Sequence, residues 1–118
     1  MKPLFDRQGR TVAWLDGEDI YNLNGSHAGH VDEDGIYLRT GARRGSFSDG
    51  FFRDARGHAV AFVEGASNGP LTPITQIPPI APIPAMPPIP PIPPISPIPP
   101  IPSLSWSSLD WPAFLRGI

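Results

Sequence analysis

The chain has 118 residues, a net charge of -2, no cysteine, 12 glycines and 18 prolines. The absence of cysteine excludes a disulfide scaffold, a thiol nucleophile and a cysteine-based zinc site, and the near-neutral charge gives no electrostatic case for nucleic-acid binding. Its length predicts one small domain with at most one appendage. Only Pro3 precedes residue 70, and every other proline lies between Pro70 and Pro112. The sequence therefore predicts a compact first part followed by a proline-dominated tail.

A sixteen-residue repeat runs through the first part, where glycine recurs at positions 9, 25, 41 and 57. Three sets of residues repeat in phase with these glycines. An apolar residue stands five positions before each glycine, a very small residue four positions after it and an apolar residue six positions after it. The three sets are Leu4, Ile20, Ile36 and Phe52; Ala13, Gly29, Gly45 and Ala61; and Leu15, Val31, Phe47 and Val63.

Each repeat has the features of one β-hairpin. The turns DRQGR, NLNGS, LRTGA and DARGH place glycine where a tight turn needs a positive φ, and short segments between turns alternate in polarity as strands do. Isolated hairpins are marginal in water, so the four must close around a shared core. The predicted fold is all-β: four 16-residue hairpin repeats closing into a small pseudo-fourfold barrel over residues 1–66. A polyproline II tail over residues 67–104 and a Trp-rich segment with a short helix over residues 105–118 follow it.

Strand alternation predicts which side chains face outward. The small and apolar residues four and six positions after each glycine are expected to face a narrow interior. On the opposite face the first and fourth repeats carry Val12, Trp14, Val60 and Phe62. The first and fourth hairpins are neighbours in a closed ring, so these four residues are predicted to form one apolar binding patch on the outside. Such a patch requires a cover.

The tail has a period of three. An apolar residue stands at every third position from Ile74 to Leu104, and nearly every residue between them is proline. Polyproline II has three residues per turn, so these side chains are expected to form one ridge, with binding residues Ile77, Ile80, Ile83, Ile89 and Ile92. Thirty such residues span roughly 90 Å, whereas a domain of this size is only about 28 Å across, so a straight tail cannot hide the ridge on its own domain. A stiff spacer is the alternative to a ridge that docks on its own barrel, another copy, a partner or a bilayer surface.

The last residues, SWSSLDWPAFLRGI, change character again. Ser108 is predicted to cap a short helix with Asp110 in its first turn. Trp106, Trp111 and Phe114 provide an apolar surface that is expected either to fold back on the barrel or to anchor in a partner groove or a membrane surface.

The residue types that could support catalysis or bind a metal do not form an active-site pattern in this sequence. His27 and His30 stand three apart in a predicted strand, so alternation places them on opposite faces and disfavours a metal site. The basic residues of the third and fourth repeats are expected to form a positive side that balances the acidic turns or recognises an anionic head group. They are Arg39, Arg43, Arg44, Arg53 and Arg56. Neither a phosphate-binding loop nor a nucleophile elbow is present, so no catalytic residue, metal or cofactor is expected, and the chain is not expected to be an enzyme.

The chain resembles the four-fold β-flower proteins of bacteria in the stretches LFDRQGRTVAWLDG, IYNLNG, IYLRTG, FFRDARGHAVAFVEGA and SLSW. The resemblance implies a shallow, fourfold-symmetric β-barrel of uncharacterised function. It also implies a loose similarity in shape to the Tubby-like and scramblase-like barrels, a lipid-associated class, although fold alone does not give function.

Two function classes remain. In the first, the chain is an adaptor whose compact β head carries an apolar tail that docks on an unknown protein partner or a lipid surface. In the second, it is a structural protein that self-assembles through tail-to-tail or tail-to-barrel packing, which leaves a homo-oligomer open. The early charges of MKPLFDRQGR argue against a signal peptide, and the proline density argues against a transmembrane span. We expect a cytoplasmic location, with peripheral association with the inner face of the membrane as the alternative.

Overall fold

The computed structural model describes residues 1–89 and 100–116. Within these ranges the strands are β1 Lys2–Phe5, β2 Thr11–Asp16, β3 Asp19–Tyr21, β4 His27–Asp32, β5 Gly35–Leu38, β6 Arg43–Ser48, β7 Phe51–Arg53 and β8 Ala59–Phe62. Each strand pairs antiparallel with the next, and β8 pairs with β1 to close a barrel. A single helix, α1, spans Trp111–Arg116 in the described part of the chain. The prediction of a small, closed, all-β barrel is confirmed.

The hairpin tips, centred on glycines 9, 25, 41 and 57, share one hydrogen-bond pattern. In the first tip the Gly9 amide donates to the Asp6 carbonyl at 3.0 Å, and the Asp6 amide donates to the Arg10 carbonyl at 2.9 Å. Equivalent pairs of bonds close the other three tips. The four glycines have φ values between 80 and 92°, a conformation that residues with a Cβ rarely adopt.

The second strand of every hairpin carries a β-bulge. Leu4 lies opposite Ala13, whereas Phe5 lies opposite Thr11, so Val12 has no partner in the register. The register shifts at the equivalent place in the other three hairpins, which leaves residues 28, 44 and 60 unpaired in the same way. A bulge adds one residue to a strand. The residues beyond it therefore point to the opposite face from the one that strict alternation predicts.

The bulges correct the predicted apolar patch. Val60 belongs to the main core cluster and Val12 packs against it, whereas Phe62 belongs to a separate outer cluster. Strict alternation, which put these residues on one outer face with Trp14, is therefore wrong for Val12 and Val60. Their side chains lie on the core side because the bulge breaks the two-residue period.

The C-terminal helix completes the core. The Trp111 ring meets Phe52 edge to face with centroids 5.7 Å apart, and Phe114 is buried in the same cluster. The helix is capped by Asp110, whose carboxylate accepts a hydrogen bond from the Ala113 amide at 2.9 Å. The prediction that Ser108 provides the cap is wrong, because Asp110 is the residue positioned to bind a first-turn amide.

The described parts of the tail contact the first, second and fourth hairpin tips. The Gln76 amide donates to the Gly9 carbonyl at 2.9 Å, and the Ala85 amide donates to the Gly25 carbonyl at 2.9 Å. Nine tail residues therefore match one sixteen-residue repeat of the barrel. Nine residues of polyproline II span ~28 Å, about a quarter of the perimeter of a molecule that measures 36 × 35 × 23 Å. The tail is thus curved around its own barrel, which the estimate for a straight tail did not consider.

Candidate functional site

The hairpin tips are notches that receive the tail. A Cβ atom on Gly25 would lie 2.6 Å from the Ile83 carbonyl oxygen, and one on Gly57 would lie 2.6 Å from the Ile101 carbonyl oxygen. A Cβ on Gly9 would collide with the tail backbone in the same way. We call these three positions the tip notches. Glycine is required at each of them for two reasons: the backbone has a positive φ, and the tail approaches too closely for a Cβ atom.

Arg53 fastens both ends of the tail at one place. Its guanidinium donates hydrogen bonds to the carbonyl oxygens of Gly57 at 2.6 Å, Ser103 at 2.8 Å and Asn68 at 2.9 Å. Asn68 lies at the start of the tail and Ser103 lies near its end, so one side chain joins the two ends. The guanidinium also lies over the Phe51 ring, 5.2 Å from its centroid, an arrangement that stabilises a cation away from water. We call this group the Arg53 clasp.

Burial sets the electrostatics of the clasp. Arg53 is only 1% exposed, and this desolvation lowers the pKa of its guanidinium, while the nearby Asp49 raises it. An arginine nevertheless keeps its charge, because its usual pKa lies far above neutral. Arg53 therefore does not belong to the predicted positive side, because it faces carbonyl groups of its own chain. Arg44 is also engaged, since its Nε donates to the Leu115 carbonyl in α1 at 3.2 Å.

Beside the clasp, the tail end joins β8. The Ser107 amide donates to the Ala59 carbonyl at 2.7 Å, and the Ala59 amide donates to the Ser105 carbonyl at 3.1 Å. The Ser107 hydroxyl donates to the buried carboxylate of Asp54 at 2.6 Å. These bonds fix residues 103–107 more firmly than the single bonds at the first two tips fix the start of the tail.

The outer aromatic residues are covered by the chain itself. The Phe62 ring lies 5.5 Å from Phe5 and 6.0 Å from Trp106, centroid to centroid. Trp106 thus folds back over the groove between the first and fourth hairpins, and Trp14 is buried as well. Together with Trp111 in the core, these side chains leave no open aromatic patch in the described structure.

The isoleucine ridge, in contrast, is fully open. The described isoleucines from Ile74 to Ile101 are between 88 and 97% exposed. This range includes the predicted binding residues Ile77, Ile80, Ile83 and Ile89, whereas Ile92 lies outside the described residues. No Asp, Glu, Lys or Arg occurs between residues 71 and 109. The ridge is therefore an uncharged apolar surface held on a folded support.

The tail contacts the barrel through one edge. Pro73, Pro82 and Pro100 are half-buried, while the described residues between them, 74–81 and 83–89, are exposed. These prolines are separated by multiples of nine residues, and nine is three periods of the predicted polyproline II helix. These three prolines therefore share one edge of the tail. The isoleucines follow them by one position and lie on another edge.

Sequence reasoning missed both the tip notches and the clasp. Pro-Ile pairs occur eight times between residues 73 and 101, and four of them, at 73–74, 82–83, 91–92 and 100–101, are nine residues apart. This spacing allows one contact per hairpin, but the other four pairs hide it within the period of three. The signal for the clasp was a single departure from the repeat: Arg53 stands where the other repeats carry Phe5, Tyr21 and Tyr37, and this departure does not indicate which groups the guanidinium binds.

Two histidines of β4, His27 and His30, are buried outside the main core cluster. His27 Nε2 is 3.0 Å from an Asp19 carboxylate oxygen, and the His30 ring stacks on Tyr37 at a centroid distance of 5.5 Å. The bulge between them places both on the outer side, so the prediction of opposite faces is wrong. Residues 1–89 and 100–116 contain no group of three or more His, Cys, Asp or Glu residues that could hold a metal ion.

A cavity of about 390 Å³ lies between α1 and the tip of the first hairpin. Its polar lining includes Asp6 and Arg10, which are paired with each other, since Arg10 Nε donates to the Asp6 carboxylate at 3.1 Å. Thr11 and Trp111 also line it, and the Thr11 hydroxyl and the Trp111 indole N–H are buried without a hydrogen-bond partner in the described part of the chain. Asp110, whose carboxylate caps α1, completes the polar lining.

Four hairpins closed into a barrel and bordered by their own tail define a small repeat-built β-barrel with an apolar outer ridge. The chain belongs to the 4-fold beta flower protein family, whose model matches residues 2–115. No curated protein and no solved structure matches it significantly. The family description names a shape and no activity. Across the two described ranges, none of the helical structure has the length and apolar character needed to cross a membrane.

Proposed function

We propose that this protein is a non-enzymatic adaptor that docks on the surface of a lipid bilayer through the isoleucine ridge of its tail. The observation that carries the proposal is the exposure of 88–97% for the described ridge isoleucines. They belong to a tail whose Gln76, Ala85 and Ser103 amides are bonded to the hairpin tips. Burial of one isoleucine side chain contributes ~1.5–3 kcal/mol. A row of them on a folded support is a strong driving force for docking, and little chain entropy remains to be lost.

The period of the tail directs the ridge toward one face of the molecule. Three residues per turn place the three edges of the tail about 120° apart. The edge with Pro73, Pro82 and Pro100 points inward, so the isoleucines point outward and toward one face, and the third edge points toward the other face. We call the exposed apolar residues on this rim the crown. Its described members are Ile74, Ile77, Ile80, Ile83, Met86, Ile89, Ile101 and Leu104.

A flat, fluid surface suits the crown. Its side chains protrude singly between prolines, and acyl chains can pack around each of them without a matching set of pockets. The carbonyl groups of the tail backbone stay at the depth of the hydrated head groups, where water can bind them. The crown has no charged residue and the chain has a net charge of -2, so binding is expected on neutral lipids without help from anionic ones.

Flotation of the full chain with phosphatidylcholine vesicles tests the proposal. The ridge variant carries Ile77→Ser, Ile80→Ser and Ile83→Ser. The third-edge variant is the matched control and carries Pro78→Ser, Ala81→Ser and Pro84→Ser. We expect the ridge variant to partition at least about tenfold less, because each 1.4 kcal/mol lost is tenfold in affinity, and the control to bind like the wild type.

Replacing part of the lipid with phosphatidylglycerol is expected to leave binding unchanged. If the wild-type chain does not float with vesicles, or if both variants bind as well as it does, the crown is not a membrane-docking surface. Stronger binding to anionic vesicles by all three proteins would point instead to basic residues of the barrel.

A further inference from the structure

We infer that in water the crown of one molecule is covered by the crown of a second copy, in a face-to-face dimer. The inference shares the crown with the proposed function and names what covers it when no bilayer is present. The crown has eight described members, each more than 70% exposed. At ~100 Å² apiece they form ~800 Å² of apolar surface, more than the ~300–600 Å² of the largest patch on a typical soluble monomer.

The ridge is complementary to itself. Three residues of polyproline II rise ~9.3 Å, and this is the spacing between neighbouring side chains such as Ile77 and Ile80. A side chain from a second ridge seated midway lies ~4.7 Å from each neighbour, close to van der Waals contact. Two ridges displaced by half a period therefore interdigitate along their length.

A twofold axis brings the two crowns together. The crown occupies one rim of a molecule that measures 36 × 35 × 23 Å, so two copies stacked face to face can meet over the whole rim. Their tails then run in opposite directions, as an isologous contact requires. With ~800 Å² from each copy, the interface buries ~1,600 Å² in total, the usual size of a specific protein interface.

The same geometry limits the assembly to two copies. The third edge of the tail, which faces the other side, carries mostly proline and small residues such as Ala81 and Thr75. The prolines lack the amide groups that a growing intermolecular sheet needs. No charged residue lies between 71 and 109, so like charges do not oppose the contact. The dimer therefore closes on itself and does not continue into a fibre.

One crown cannot face a bilayer and a second copy at once. Dimerisation and membrane docking consequently compete, and each weakens the other by the same factor. The dimer therefore dissociates as vesicles bind the monomers. At fixed lipid, the fraction of chain on vesicles is expected to fall as the protein concentration rises above the dimer dissociation constant.

Sedimentation velocity of the full chain over a hundredfold concentration range, without lipid, tests the dimer. The monomer mass is 12.7 kDa, and the wild type and the third-edge variant are expected to reach twice that mass. The ridge variant is expected to stay monomeric with its dissociation constant raised at least tenfold. Its urea unfolding should match that of the third-edge variant or exceed it in stability, since the replaced isoleucines are exposed in the monomer and all its prolines remain.

The outcomes separate this inference from the proposed function. A wild-type monomer at every concentration that still floats with phosphatidylcholine vesicles overturns the dimer and leaves membrane docking in place. A dimer that persists in the ridge variant overturns it too, because the contact then lies elsewhere. Assemblies larger than two copies contradict the one-sided crown. A wild-type dimer that is lost in the ridge variant, with no vesicle binding by either protein, supports the dimer and removes the bilayer as its competitor.

Discussion

Arg53 is a buried cation with neutral partners. The three carbonyl groups that it binds belong to the fourth hairpin, the linker and the tail end. Hydrogen bonds from a charged donor are stronger than neutral ones, and these three offset part of the cost of removing the guanidinium from water, while the buried Nε of Arg53 has no partner among the described residues. The side chain therefore closes a loop from Asn68 to Ser103 without a covalent bond.

Replacement of Arg53 by methionine is expected to lower the free energy of unfolding by about 2 kcal/mol or more. Methionine fills similar space but leaves the carbonyl groups of Ser103 and Asn68 without the Arg53 donor, and each buried unsatisfied group costs ~1–3 kcal/mol. The Gly57 carbonyl keeps the Ser103 amide as a donor. Urea unfolding measures the change. Arg56→Met is the matched control, because Arg56 lies in the same hairpin and is exposed. Equal stabilities of the two variants would show that the clasp contributes nothing beyond its charge.

Tyr21 provides a prediction for alkaline pH. Burial is the main cause that raises the pKa of its phenol above 10, and the carboxylates of Asp19 and Asp16 add to it. Above pH 10 the unfolded chain therefore loses this proton before the folded chain does, and stability falls as the pH rises. We expect Tyr21→Phe to flatten this fall above pH 10, as measured by urea unfolding at a series of pH values. An unchanged slope would contradict it.

At the scale of elements, the sequence predicted the hairpins better than their faces. The sixteen-residue spacing of glycine and apolar residues was sufficient for the strand order, because each tip needs glycine and each strand needs a core residue at a fixed place. The four bulged positions hold Val12, Ala28, Arg44 and Val60. Three of them are apolar, but an apolar residue in a strand is equally typical of an outer patch, and Arg44 breaks the series. The residue types therefore do not mark the bulge, and the two-residue alternation predicts the wrong face.

The tip notches can be separated from turn strain by two glycines of similar conformation. Gly9 has φ +80° and contacts the tail, whereas Gly65 has φ +84° and nothing within 4 Å of its added Cβ. Gly9→Ala and Gly65→Ala each place a Cβ on a left-handed backbone, which destabilises the folded state by ~1–2 kcal/mol. Only Gly9→Ala is expected to displace the tail. Hydrogen exchange of the Gln76 amide, which donates to the Gly9 carbonyl, should then accelerate at least about tenfold.

In the same Gly9→Ala protein, the Ala85 amide at the second tip is expected to keep its protection, because the notches are separate. Gly65→Ala should leave both amides as they are in the wild type. If Gly65→Ala exposes the Gln76 amide as much as Gly9→Ala does, general loosening of the barrel and not the notch explains the effect.

At the scale of the whole molecule, the tail and the barrel are two repeats in register. The period of three predicted the ridge, and its exposure in the described residues agrees with a surface that needs a cover. Its curvature could not follow from the period alone, because polyproline II was treated as a straight rod. The outer aromatic residues are covered by the chain itself. Trp106 contacts Phe62 where the end of the tail lies against the fourth hairpin. A local pattern does not contain that long-range contact.

The register between tail and barrel predicts the effect of shortening the tail by one period. Deletion of residues 78–80 leaves Gln76 and Ala85 six positions apart in place of nine, a distance of ~19 Å in place of ~28 Å in polyproline II. The tail can then occupy only one of the first two tip notches, so one of these two amides should lose its protection from hydrogen exchange. Pro78→Ala with Pro79→Ala keeps the length and reduces the stiffness, and it should leave both protected. The deletion removes a whole period, so the remaining isoleucines keep their common edge. If both amides stay protected in the shortened chain, the spacing of nine residues is not what holds the tail on the tips.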